Sequence, residues 1–242
     1  MKLKIAVFAY NFKHWKTQTG LNNLFYNEIE PNVVIAANKK KLKINSSKKR
    51  TSPKNLFLTH PQQICQRMNF NYMISDHDSK ELELFLEENK FDLGVILGAR
   101  ILNKEIIDKF KIGIINLHPG VLPLNRGLDT IKKAILNDLP QGVTSHLINH
   151  RIDMGSKIDF KKIPIYDDDT LIDIKIRLQN LEQQMLIESI KMLQNSDLQN
   201  LQLEKIAYHK YSSVISNEQD EKLEVFFSSY KKKWSNNEGA TV

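Results

Sequence analysis

Short apolar runs separated by polar turns set the pattern of this chain. Leu3 to Phe8 and Val33 to Ala37 are compact apolar, β-branched runs, and they predict two strands buried on both faces. Between them, Thr19 to Tyr26 predicts a helix with Thr17 or Thr19 as its cap. Pro61 opens a helix running to Met68. Asp76 or Ser79 caps another, in which Leu82, Phe85 and Leu86 recur at three-to-four spacing. Leu93 to Leu97 reads as a buried strand, Asn103 to Phe110 as a short helix and Gly113 to Leu117 as a further strand. This alternation predicts an α/β fold, doubly wound around a mainly parallel sheet.

Downstream of Arg126-Gly127 a helix is expected to about Leu136, then a strand over Val143 to Ile148. Ile158 to Ile165 alternates loosely, as an outer strand does. Asp169 or Thr170 caps a long helix whose Leu171, Ile174, Leu178, Leu181, Met185 and Ile190 form one apolar stripe, read as core. From Asn200 onward a strand-like stretch over Leu201 to Tyr211 precedes a helix from Glu218 to Lys231. That tail is too small to fold alone. The expected organisation is therefore a catalytic domain over 1–199 with a strand and helix extension over 200–242.

Composition changes this picture little. With 242 residues, 41% apolar and 26% charged, the chain suits one α/β domain plus an appendage. No apolar run approaches the roughly 20 residues that span a bilayer, which argues against a membrane protein. Met1 to Lys4 leads straight into a strand with no signal-peptide pattern, and Cys65 has no second cysteine to pair with; both predict a reducing, cytoplasmic setting. Cys65 itself reads as a core residue. The net charge of +7 is concentrated: Lys39, Lys40, Lys41, Lys43, Lys48, Lys49 and Arg50 lie within a dozen residues, and Lys231 to Lys233 form a second cluster. Such a loop could attract nucleic acid or an anionic substrate, but it lacks interleaved aromatics and reads as a solvated loop. A non-catalytic, basic nucleic-acid-binding or regulatory protein is the reading of another class.

The chemistry concentrates where the Gly113–Leu117 strand ends. Asn116 and His118 are two apart and share a face, and Pro119-Gly120 stops the strand, leaving both at its carboxyl edge. In an open α/β sheet, ligands bind at that edge. An amide donor beside an imidazole suits a reaction that builds an oxyanion and moves a proton. Alone, the same pair also describes a hydrogen-bonded strand end.

The flanking residues carry a resemblance. Asn116-Leu117-His118-Pro119, then Leu122-Pro123, then Arg126-Gly127, then Asp153-Met154-Gly155, resembles the formyltransferases that use 10-formyltetrahydrofolate. Gly98-Ala99-Arg100-Ile101-Leu102 is similar to the segment those enzymes place beside the folate pterin. The likeness runs from about residue 92 to 158. It implies a Rossmann-like formyltransferase fold in which an amine attacks the folate's formyl carbon. By that resemblance Asn116 and a protonated His118 stabilise the oxyanion, while Asp153 orients His118 and takes or relays the amine proton. Ala99, Arg100, Ile101, Leu102, Asn116 and Asp153 are the implied cofactor contacts. Arg126 either meets a substrate anion or ties down its own loop, and His146 is read as structural. No histidine spacing suggests a metal, so a metal-independent reaction is expected.

Three acceptors compete. Glycinamide ribonucleotide calls for a glycine-rich phosphate cradle after the first strand, where this chain has Tyr10-Asn11-Phe12-Lys13-His14. The methionyl-tRNA enzymes carry a C-terminal barrel of roughly 100 residues, against about 40 after Asn200. The remaining reading is a nucleotide-linked amino sugar, closest to dTDP-4-amino-4,6-dideoxyglucose, used for surface polysaccharide or O-antigen. The tail's Leu201, Leu203, Ile206 and Tyr208 must pack on something; the resemblance implies a homodimer that uses the tail, and the rival is folding back onto the Thr170–Leu193 helix.

Overall fold

The computed structural model describes residues 2–40, 49–54, 56–197 and 200–235. The basic residues Lys41, Lys43 and Lys48 lie outside the described residues. The elements, in order, are β1 (Ile5–Tyr10), α1 (Trp15–Tyr26), β2 (Val33–Ala37), α2 (Pro61–Arg67), β3 (Tyr72–Ile74), α3 (Lys80–Asn89), β4 (Leu93–Ile96) and α4 (Lys104–Ile107). The chain continues through β5 (Gly113–His118), α5 (Thr130–Leu136), β6 (Gly142–Ile148), β7 (Gly155–Lys162), α6 (Leu171–Asn195), β8 (Glu204–Lys205) and α7 (Asn217–Ser235).

The sheet runs β3-β2-β1-β4-β5-β6-β7-β8. Its first five strands are parallel, and β6, β7 and β8 pair antiparallel. Alternation along β1 explains the double winding. Ile5, Val7 and Ala9 face a core made with α1, α2 and α6, whereas Ala6 and Phe8 face Leu82, Leu86 and Ile106 of α3 and α4. A strand covered on both faces has no polar face, which is why these runs read as continuously apolar. Strand order reverses between β1 and β4, so the crevice beyond their carboxyl ends is the expected ligand position.

Helix starts follow local chemistry. Thr170 and Asp173 form a reciprocal capping box at α6, and Ser79 caps α3. α1 departs from expectation: it begins at Trp15, with the His14 ring accepting from the Thr17 N–H at 3.3 Å. Thr17 turns inward instead, donating its hydroxyl to the Leu97 carbonyl at 3.1 Å. Gly20 lets α1 lie against β4, since a Cβ there would sit 2.4 Å from Leu97 Cδ2. Cys65 is buried, and burial pushes its thiol up to about 12. Among the described residues no helix is long and apolar enough to cross a membrane.

The tail differs most from its sequence reading. Within Leu201 to Tyr211 only Glu204–Lys205 is strand, paired with Ser156 and Lys157 of β7. Beyond it the chain leaves the sheet edge and returns along α5, so α7 packs on α5 rather than on α6. Leu223 and Tyr230 join the main core, and the Tyr230 hydroxyl donates to the Leu139 carbonyl at 2.7 Å. The apolar side of α7 is thus covered from within the chain. Its anchor is a buried ion pair, Lys132 Nζ to Asp220 Oδ1 at 3.1 Å, with Asp220 Oδ2 also accepting the Lys49 N–H at 3.0 Å.

Removing one member of a buried pair leaves the other charge uncompensated, at a cost of about 3–5 kcal/mol. Asp220→Ala is expected to destabilise the protein by that order, and Asp220→Asn by less. Urea denaturation of both variants checks this; an Asp220→Ala protein within about 1 kcal/mol of the parent would show that the pair does not hold α7.

Candidate active site

β5 carries Asn116 and His118 on the face shared with Ile114, while Ile115 and Leu117 point into the opposite core. Past Pro119 the chain turns tightly. Gly120 is required there, because a Cβ would lie 2.9 Å from the Asn125 carbonyl oxygen and 3.0 Å from His118 Nε2. Thr144 of β6 clamps the turn, donating its hydroxyl to the Gly120 carbonyl at 2.6 Å and accepting the Leu122 N–H at 3.2 Å.

β6 runs back beside β5 and sets Asn116 opposite His146 and His118 opposite Thr144. The loop after β6 then folds over the sheet edge and delivers Asp153, which takes a left-handed conformation (φ 49°) that a short polar side chain tolerates. Gly155 follows at φ 120° with its Cα against the Leu147 carbonyl, a position where a Cβ would sit 2.0 Å from that oxygen.

The polar side chains form one chain of contacts. His118 Nδ1 lies 3.4 Å from Asp153 Oδ1, and His118 Nε2 lies 2.8 Å from the Asn125 carbonyl oxygen. Both ring nitrogens face acceptors, so only the doubly protonated ring satisfies both. Asp153 Oδ2 accepts the Gly127 N–H at 2.7 Å. Burial alone would raise the Asp153 pKa, but the His118 hydrogen bond and charge, the Gly127 N–H and His146 together hold it below the ordinary carboxylate range.

His146 links the two halves. It is fully buried, its Nε2 lies 3.1 Å from Asn116 Nδ2, and its Nδ1 lies 3.2 Å from the Met154 carbonyl oxygen. The carbonyl can only accept and the amide nitrogen can only donate, which assigns the ring proton to Nδ1. Burial lowers the His146 pKa to about 4, and the charge of His118 pushes the same way. Read from sequence as structural, His146 in fact touches Asn116; its cross-strand register was the signal.

A cavity of about 190 Å³ opens beside this network. Ala99, Arg100, Ile101, Leu102, Asn116 and Asp153 all line it, together with Ile96 and the 148–152 loop, which the sequence did not single out. The Tyr10 hydroxyl donates to the Ala99 carbonyl at 2.8 Å and pins the 98–102 segment. Arg100 donates to the Lys40 carbonyl at 3.2 Å, and its buried Nε has no hydrogen-bond partner. His118 is buried behind Asp153 rather than on the cavity wall. Arg126 is also buried, with its terminal nitrogens on the Ile152 and His209 carbonyls, the loop-tying arrangement rather than a substrate contact. Among the described residues no group of three or more His, Cys, Asp or Glu could hold a metal ion.

Comparison with known proteins places the fold and site in a family. A family model described as formyl transferase matches residues 3–190, so the chain belongs to the formyl transferase family. It is 31% identical over 127 residues to a phosphoribosylglycinamide formyltransferase of Haemophilus influenzae, covering 52% of this chain and 59% of that protein. It is 28% identical over 182 residues to a methionyl-tRNA formyltransferase of Fusobacterium nucleatum, covering 74% of this chain and 51% of that one. The chain thus spans about half the length of these curated relatives. In fold it is similar to an N-formyltransferase of Helicobacter canadensis solved with folinic acid and dTDP-3-aminofucose (TM-score 0.60, 20% identity, 85% of this chain and 68% of that one).

The buried neutral His146 has a consequence for stability. Unfolded, it takes up a proton near 6.5; folded, only near pH 4. Between those values the unfolded chain binds more protons, so stability rises with pH, being complete above 6.5 and lost as pH falls toward 4. The span corresponds to about 3 kcal/mol. His14, also lowered to about 4 by burial first and Lys16 next, acts in the same direction. Melting temperature is expected to fall on acidification from pH 7 to 5, and less steeply in His146→Gln; an unchanged slope in that variant would contradict the assignment.

Proposed function

We propose that this protein transfers a formyl group from 10-formyltetrahydrofolate to the amine of a nucleotide-linked amino sugar, with dTDP-4-amino-4,6-dideoxyglucose as the first acceptor to test. The observation that carries the reading is that Asn116 and Asp153 line one cavity with Ala99 to Leu102, while His118 stands behind Asp153. Ile96, Ile101, Ile148 and Ile152 give that cavity apolar walls for a flat ring, and main-chain groups of 99–102 and 148–152 surround it. The donor set fits a folate.

The folate supplies the formyl carbon as an electrophile on N10. Asn116 has two amide protons; one is held by His146, and the second is assigned to the formyl oxygen as charge builds there. His118, held between Asp153 and the Asn125 carbonyl, acts from behind the carboxylate, through its contact with Asp153. Asp153, kept ionised, accepts the proton lost by the amine as the new N–C bond forms. It returns a proton to N10 as the C–N10 bond breaks, so the products are the formamide and tetrahydrofolate.

The amino-sugar acceptor is supported by the loop after β1. Tyr10 and Phe12 stack at 4.8 Å, His14 meets both edge-on, and the His14 ring occupies the first-turn N–H of α1. A glycine cradle would leave such N–H groups open to phosphate; this loop fills the space with rings. Surface-polysaccharide synthesis in the cytoplasm is the setting we assign. The homodimer rests on the resemblance alone, since Leu223 and Tyr230 of the tail are consumed inside the chain.

Two measurements test the proposal. Nucleotide-linked amino sugars, glycinamide ribonucleotide and methionyl-tRNA are offered with 10-formyltetrahydrofolate, and products are read for the mass of one added formyl group. Formylation of only the ribonucleotide or the tRNA would replace the acceptor assigned here. On the accepted substrate, His118→Asn and Asp153→Ala are each expected to lower turnover by at least about 10²-fold with folate binding retained. Near-native turnover in both would overturn the catalytic assignment.

A further inference from the structure

The tail leaves β8 and crosses the two loops that frame Asp153. The Ile206 N–H donates to the Gly155 carbonyl at 2.9 Å, just past the Asp153 turn. Ser212 bridges to Gly127, and its carbonyl accepts the Leu128 N–H at 3.2 Å and the Lys133 ammonium at 2.8 Å. The Ile215 N–H donates to Asp129 Oδ2 at 3.2 Å. Gly127, at φ 95°, lets this strap lie directly on the loop, because a Cβ there would be 1.9 Å from the Ser212 oxygen.

Arg126 sits where the three segments meet. One terminal nitrogen donates to the Ile152 carbonyl beside Asp153, and the other to the His209 carbonyl of the strap. Its guanidinium carbon lies 5.9 Å from the centre of the Tyr208 ring, within cation–π range. The next residue, Gly127, supplies the N–H that Asp153 Oδ2 accepts. A planar fork can hold two carbonyls from separate segments at fixed spacing; a lysine ammonium cannot impose that geometry.

We propose that Arg126 is a positioning residue through which the strap at residues 206–212 sets the orientation of Asp153. This rests on the catalytic reading of Asp153 given above. The strap lies beyond residue 190, where the match to the family model ends, whereas Arg126 and Asp153 lie within it. Without the fork the 151–155 turn is free to shift, and Asp153 loses its fixed distance to both His118 and the Gly127 N–H. Those contacts hold its pKa down. Loosening them therefore raises it, and the acid limb of the turnover profile moves to higher pH.

The test is a double-mutant cycle of Arg126→Met and Asp153→Ala, with Arg126→Lys as the milder variant should the first fold poorly. Turnover is measured with 10-formyltetrahydrofolate and dTDP-4-amino-4,6-dideoxyglucose, folate affinity with folinic acid, and amide hydrogen exchange on every variant. Arg126→Met is expected to lower kcat at least about 10-fold, leave both KM values and folinic acid binding within about two-fold, and shift the acid limb upward. It should add less than about two-fold on top of Asp153→Ala, because the two act as one unit. Exchange should rise in both 150–155 and 206–212. Independent, multiplying effects on kcat would overturn the proposal. So would a raised acceptor KM with kcat unchanged, which would make Arg126 a substrate contact. If Asp153→Ala keeps native turnover or the sugar is not formylated, the functional reading fails separately. Exchange then decides the coupling alone, and a rise confined to one segment defeats it.

Discussion

The site depends on one uncharged imidazole. His146 is buried, keeps its proton on Nδ1 and spends one nitrogen on each side: Nε2 accepts from Asn116, and Nδ1 donates to the Met154 carbonyl. Protonating it would turn Nε2 from acceptor to donor and set it against the Asn116 amide nitrogen, so the geometry requires a ring that resists protonation. Burial provides that by holding the pKa near 4. Because Met154 follows Asp153 directly, the same ring that orients the Asn116 amide also fixes the turn presenting the carboxylate. The antiparallel register of β6 on β5 makes the arrangement possible, since it sets His146 opposite Asn116.

The parallel half of the sheet was legible because its chemistry is simple. Ile5 to Phe8 and Val33 to Ala37 are apolar on both faces, and a strand covered by helices on two sides has no other composition available. Ser79 and Thr170 announced their helices through hydroxyls that accept a first-turn backbone N–H, as cap residues do. Thr17 misled for the opposite reason: a buried carbonyl at Leu97 claimed its hydroxyl, and His14 took over the cap. That competition is tertiary and leaves no local trace. In the site, Asn116, His118 and Asp153 stood out by motif, whereas the 148–152 wall of the cavity carries ordinary loop residues and acquires its position only from the fold.

The tail was harder to place, again for a physical reason. Alternating Leu201, Leu203 and Ile206 read as a strand, but only Glu204 and Lys205 pair with β7, at Lys157 and Ser156, before the chain leaves that edge. Past that point carbonyl groups of the strap are taken by side chains instead, by Arg126 at His209 and by Lys133 at Ser212. Here cationic side chains from the neighbouring loop and α5, with the Leu128 N–H, stand in for a sheet ladder. Lys133 meets that role at a cost, since burial lowers its pKa ahead of the compensating charges of Asp129 and Asp153.

These two modes of construction divide the site. The cavity wall at residues 99–102 is a segment pinned by Tyr10, inside the part of the chain that matches the family. Behind Asp153 the strap lies on Gly127 and Arg126; those two residues fall inside the match and the strap itself beyond it. A change in the tail would reach the cavity through the Arg126 fork and the Asp153 turn that it holds. The approach there is narrow: Gly127 admits the strap because it has no Cβ, which would lie 1.9 Å from the Ser212 oxygen.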